Sequence, residues 1–147
     1  MIMLKKILDQ LLVASTLVTL VSGFNLLPAN ARTIEIGSPL ANDPLAVDGR
    51  SGGSVDSQDC GFIGEKPHHI IKVTERIDYM RVTLLANGGE PTLLVDGPDG
   101  RFCVLADTLT DGNPEISGVW LPGTYSIHIG DRTGGRHQFT LEISQRD

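Results

Sequence analysis

The chain predicts an all-β protein, an antiparallel β-sandwich or jelly roll of about eight strands, and three observations carry that prediction. After residue 31 no window places apolar residues at i, i+3, i+4 and i+7 over eleven or more positions, so the pattern offers no amphipathic helix. Short runs rich in β-branched and aromatic residues recur instead at strand-length spacing. The interruptions have turn chemistry. Asn87-Gly88-Gly89, Gly97-Pro98-Asp99-Gly100, Asp111-Gly112-Asn113-Pro114, Pro122-Gly123 and residues 131–135 supply a positive or a preset φ.

Taken in order, the first segment is an export signal rather than part of the fold. Lys5 and Lys6 precede an apolar run over residues 11–21, and the stretch closes on Ala29-Asn30-Ala31. A basic start, a short apolar stretch and a small-residue exit describe a signal helix cleaved near Ala31. The run is too short to span roughly 30 Å of hydrocarbon as a permanent helix. Residues 32–44 read as a short leader with at most one edge strand, and residues 45–147 as the sandwich domain. Its strands are expected at 45–48, 69–74, 78–86, 92–96, 102–106, 116–120, 124–130 and 137–144.

Period-2 alternation assigns faces. Met80, Val82 and Leu84 share one face; Tyr125, Ile127 and Ile129 share another, with His128 turned outward. His137, Phe139, Leu141 and Ile143 fall together in the last strand, and residues 124–144 are expected to form a hairpin. There is no internal repeat, low-complexity tract or domain linker.

Loss of Lys5, Lys6 and Asp9 with the signal leaves 10 basic and 17 acidic residues, a net charge of −7. That sign argues against nucleic acid, whose phosphates demand a basic patch, and it disfavours adhesion to anionic lipid. It suits solubility and hard cations. Cys60 and Cys103 read first as a disulfide in an oxidising compartment, with two separate buried thiols as the alternative. No C-x-x-C spacing supports a metal site.

Gly52-Gly53-Ser54, Asp59-Cys60-Gly61, Pro67-His68-His69-Ile70, residues 90–95, Gly97-Pro98-Asp99-Gly100 before Cys103, Gly112-Asn113-Pro114 and residues 122–130 follow one another in an order that resembles the pre-peptidase C-terminal-like β-sandwich domains of secreted bacterial proteins. The resemblance covers about residues 45–144 and rests on turn and core residues, so it implies a fold more than an activity. It implies a non-catalytic domain, of a kind that usually accompanies a secreted protease and in some members binds calcium or matrix polymers. Members of that kind often show two adjacent aspartates shortly after the second cysteine; here Asp107 stands alone.

Chemistry could sit in three places. Asp96, Asp99, Asp107, Asp111 and Asn113, with Glu115 beside them, supply the oxygen ligands and Gly-rich loops that calcium takes; solvated turn aspartates are the ordinary alternative. Gly49-Arg50-Ser51-Gly52-Gly53 formally matches G-x-S-x-G, but no helix follows it as that motif requires. His68, His69, His128 and His137 invite a metal reading, yet consecutive strand residues face opposite ways, which favours rim histidines. Of the aromatics, Tyr79 and Trp120 are the candidate sugar platforms, with Trp120 as a core cap the simpler reading.

The expected function is a monomeric, non-catalytic, extracytoplasmic binding or stabilising module. It would present the loops around residues 96–99 and 107–115 to a protein or an extracellular polymer, with calcium as the candidate ion. The alternatives are a small secreted hydrolase using Ser51 or a histidine cluster, and an inhibitor or partner of a secreted protease. Periplasm, photosynthetic lumen and external medium are equally permitted destinations.

Overall fold

The structure, a computed structural model, describes residues 31–107 and 112–147. The signal segment and Asp111 lie outside the described residues. Eleven strands follow in order: β1 (Arg32–Ile36), β2 (Leu45–Arg50), β3 (Val55–Asp56), β4 (Phe62–Ile63), β5 (His69–Val73), β6 (Ile77–Ala86), β7 (Pro91–Gly97), β8 (Gly100–Leu105), β9 (Glu115–Trp120), β10 (Gly123–Asp131) and β11 (Gln138–Ser144). All eight expected strands form, with ends shifted by one or two residues. The leader supplies the one edge strand allowed for it, β1, and the additions are the two-residue β3 and β4.

Two sheets pack face to face. One runs β1-β5-β10-β7-β8, with β4 and then β3 attached at Asp131, the last residue of β10; the other runs β2-β11-β6-β9. All ladders are antiparallel except β1 with β5, which is parallel and pairs Arg32 with His69 through Ile36 with Val73. Ile34 and Ile36 of β1 are buried, so residues 32–36 belong to the core they precede.

Alternation is what builds that core. Met80, Val82 and Leu84 are fully buried in β6, as are Ile127 and Ile129 in β10 and Leu141 and Ile143 in β11. They join Ile71, Val73, Leu93, Val95, Trp120, Tyr125 and Phe139 in one cluster between the sheets. Each fully buried aliphatic side chain contributes about 1.5–3 kcal/mol relative to exposure.

The expected hairpin over 124–144 does not form. Both edges of β10 are already taken, by β5 and β7, while β11 pairs β2 and β6 in the opposite sheet. Residues 132–137 therefore cross between layers roughly 10 Å apart. Alternation reported correctly which residues turn inward in each strand. It carries no information on whether two such faces lie side by side or look at each other across a core.

β7 is buried on both faces. Leu93 and Val95 enter the main core; Leu94 points the other way into a small second cluster with Cys60, Ile63 and Cys103. The β3–β4 segment forms an apron over that outer face. It is held by the Cys60–Cys103 disulfide (Cα–Cα 5.7 Å) and by the buried Thr92 hydroxyl, which donates to the Cys60 carbonyl at 2.6 Å. Arg101 and Asp59 add an exposed pair at 2.5 Å, which solvent screening keeps weak.

The cysteines are separated by 43 positions, so the bond closes a loop that restricts the unfolded chain by about 4 kcal/mol in the chain-entropy model. Converting both cysteines to alanine is expected to lower the unfolding free energy by about 2–4 kcal/mol in urea titrations. The far-ultraviolet strand signature should persist, because the main core lies elsewhere. An unchanged midpoint would contradict this assignment.

Candidate functional site

Three regions hold the polar or exposed apolar groups that could act. The first is the corner where β10 leaves its sheet. Asp131 is fully buried, and its carboxylate accepts hydrogen bonds from the amides of Glu90 (3.1 Å), Thr133 (2.8 Å) and Gly135 (3.2 Å) and from the Thr133 hydroxyl (2.6 Å). Burial alone would raise its pKa, but the hydrogen bonds from Thr133, Glu90 and Gly135 outweigh it and hold the group below the usual carboxylate range.

Ser51, at the same corner, is 1% exposed. Its hydroxyl accepts from the His137 amide at 3.0 Å, its own amide donates to the His137 carbonyl at 2.9 Å, and the Gly52 amide donates to Ile129 at 2.9 Å. The His137 ring lies 3.8 Å from Asp131. Ser51, His137 and Asp131 are thus neighbours, but a nucleophile needs the base ring at its oxygen and access to substrate. Here the oxygen is buried against a backbone amide. The geometry does not support the Ser51 hydrolase.

The second region is a crevice where β2, β5 and β11 meet, lined among others by Gly49, His68, His69 and Phe139. The rings of His68 and His69 both meet the Phe139 ring edge-on, with centroids at 5.7 and 6.1 Å. Strict alternation would separate them; it fails because β5 starts only at His69. His68 bridges the two sheets, with Nδ1 accepting from the Ile129 amide at 3.1 Å and Nε2 bonded to the Arg50 carbonyl at 2.9 Å. That arrangement requires the neutral ring with its proton on Nε2. Burial, and then the charges of neighbouring residues, push its pKa down to about 4. His69 is not a rim residue: it shares the inward face of Ile71 and Val73 and is 5% exposed. Burial and the charge of Arg32 likewise lower its pKa.

The third region is the open flank where β8 and β9 end the two sheets. A cleft of about 350 Å3 there is lined by Val95, Asp99, Phe102, residues 116–120 and Tyr125. Trp120 is buried rather than displayed. Its indole donates to the Met80 carbonyl at 3.0 Å and its ring stacks edge-on against Tyr125 at 4.8 Å. The Tyr125 hydroxyl accepts from the Leu121 amide at 3.1 Å and lies 2.9 Å from the Leu121 carbonyl and 3.1 Å from the Asp99 carboxylate. Phe102 (48% exposed) and Val119 (49%) flank the opening. Sequence reading passed over these two because it sought chemistry in polar residues. The available signal was large apolar side chains in strands at the ends of the sheets.

Among the described residues, the candidates for calcium (Asp96, Asp99, Asp107 and Asn113) do not come together. Asp96 is exposed near the end of β7, opposite Arg101, and Asp99 sits in the β7–β8 turn. Asp107 follows the far end of β8, bridged to Gly112 with Asn113 next to it. A six-residue strand separates the two groups by roughly 20 Å. Among the described residues no three His, Cys, Asp or Glu side chains converge to hold a metal ion. Among the described residues there is no helix long and apolar enough to cross a membrane.

Two flat layers, an apron tied by a disulfide and open flanks define the class: a β-sandwich of the pre-peptidase C-terminal-like type. The pre-peptidase C-terminal domain of a collagenase from Bacillus anthracis has this fold, with a TM-score of 0.51 at 13% identity over 78% of this chain and 97% of that one. A periplasmic inhibitor of g-type lysozyme from Aeromonas hydrophila aligns at a TM-score of 0.40 and 14% identity, over 78% and 98% of the two chains. No family model matches the sequence. A protein of Synechococcus elongatus, carried under the description uncharacterised, is 41% identical over 106 residues, 69% of this chain and 76% of its own. The chain belongs to the family of that cyanobacterial protein.

Two outcomes follow from the first two regions. His68 titrates lower in the fold than in the unfolded chain, so its contribution is complete above pH 6.5 and is lost as pH falls towards 4. Unfolding titrations between pH 7 and pH 4 should show a loss of about 2–3 kcal/mol in the parent that is smaller in His68→Gln; equal slopes would refute it. Ser51→Ala should cost about 1–2 kcal/mol of stability by leaving the His137 amide unpaired, measured as a lowered Tm. An unchanged Tm would remove Ser51 from the corner's support.

Proposed function

We propose that the protein is a non-catalytic, exported binding module that grips a protein partner along the open β8–β9 flank. The observation carrying this reading is the pairing of Phe102 and Val119, each nearly half exposed, around a cleft with a rigid floor. Exposed apolar groups gathered beside a pocket mark interaction surfaces, whereas single ones scattered elsewhere do not. Trp120 and Tyr125 form that floor, locked by their hydrogen bonds to Met80 and Leu121, so a partner's side chain would meet a preformed surface and little ordering cost. Both edge strands also leave backbone groups unpaired on their outer side, and these can hydrogen-bond to an extended segment laid beside them.

Export is supported by the basic-then-apolar start of the sequence and by the Cys60–Cys103 bond, which suits an oxidising compartment. The reading leaves calcium aside, since the acidic residues divide between the two ends of β8.

The test is photo-crosslinking in the producing cell from a photoreactive residue at Val119, with one at Lys72 as control; Lys72 is exposed on β5, away from the cleft. A discrete protein adduct from position 119, absent from position 72 and lost in Phe102→Ser, is the expected result. No adduct from position 119, or the same adducts from both positions, would overturn the proposal.

A further inference from the structure

The opposite flank carries a crevice of different chemistry, about 420 Å3 in volume. His69 lines it while 5% exposed, and neither of its ring nitrogens has a hydrogen-bond partner. A neutral imidazole carries one N–H donor and one acceptor, and burying both without partners is costly. Two such atoms facing a crevice point to a ligand that meets them. Arg50, Lys66 and Arg136 line the same opening, and among the described residues none of them forms an ion pair. The acid beside them, Asp48, accepts the Thr140 hydroxyl at 2.6 Å and keeps its charge. In a chain of net charge −6, three cations against one carboxylate around a single crevice are a local reversal of sign, which concentrates anions there. An apolar surface adjoins them: the Phe139 ring, and Gly49, where a Cβ would overlap that ring.

We propose that this crevice binds a small carboxylate with an apolar body, its oxygens held by the His69 N–H and the Arg136 guanidinium and its body laid against Phe139. A planar carboxylate matches the guanidinium fork, and its apolar part matches a lining that a fully hydrated anion such as phosphate would leave unused. His68 cannot serve as a further donor, because both of its nitrogens are committed to the sheets. That leaves His69 as the ring free to meet a ligand. The inference stands apart from the β8–β9 flank and shares no residue with it.

The test uses the full chain as produced, with benzoate, acetate and inorganic phosphate as probes, and follows the histidine ring resonances by NMR at neutral pH. Saturable shifts of the His69 ring with benzoate at millimolar concentration, and little response to acetate or phosphate, are expected. Arg136→Gln, an exposed position, should weaken benzoate by roughly tenfold, the loss of one charge-assisted contact. His69→Phe should abolish binding while leaving unfolding cooperative. The proposal is overturned by no saturable shift with benzoate, by equal or tighter binding of phosphate, or by benzoate binding that Arg136→Gln leaves unchanged. Should His69→Phe fail to fold, Arg136→Gln alone decides the matter.

Discussion

The buried carboxylate of Asp131 is the interaction on which this architecture turns. A sandwich needs its chain to leave one sheet and enter the other without stranding backbone amides, and β10 does so immediately after this residue. One carboxylate gathers the amides of Glu90, Thr133 and Gly135 together with the Thr133 hydroxyl. A buried anion is otherwise costly; here three backbone donors and a hydroxyl replace its hydration. With that corner fixed, Ser51 and Gly52 stitch β2 to the crossing segment, and His68 ties Ile129 in one sheet to Arg50 in the other. The polar residues that looked most like chemistry in the sequence hold the layers in place.

Once the layers are fixed, their two flanks acquire different characters. At one, β8 and β9 leave Phe102 and Val119 above a floor of Trp120 and Tyr125. At the other, β2, β5 and β11 enclose a histidine with unused nitrogens beneath a cationic rim. Between them the outer face of β7 is covered by the apron and its disulfide, so residues 92–95 of β7 are buried on both sides. The fold class says nothing about either flank. They are set by side chains at strand edges, where the core does not dictate residue type.

How much of this was legible in the sequence varied with the kind of information required. Faces were readable: the inward sets of β6, β10 and β11 follow from period-2 alternation, and eight of the strands from their turn punctuation. Partnership was not. Tyr125, Ile127 and Ile129 face Phe139, Leu141 and Ile143 across the core, while the short segment between them suggested a hairpin. β3 and β4 are two residues each, below the length at which alternation can register, and their position depends on Cys60 reaching Cys103. The described members of the calcium set divide for a related reason. Asp99 and Asp107 are near in sequence, but an extended strand carries each residue about 3.3 Å further on, so eight positions separate them rather than gather them. His68 and His69 show the reverse: alternation parts consecutive residues only inside a strand, and the strand begins between them.

The ladders also fix an order of assembly. Only β3 with β4 and β7 with β8 join neighbours in the chain; Leu45 waits for Ile143, and Arg32 for His69. Loop-closure entropy must be met before such distant pairings are rewarded. A polypeptide emerging from its N-terminus therefore holds β2 and β6 as open edges until β11 arrives between them. Its vulnerable interval lasts as long as that one strand is missing, and a chain lacking β11 would keep two sticky edges where the second sheet should close.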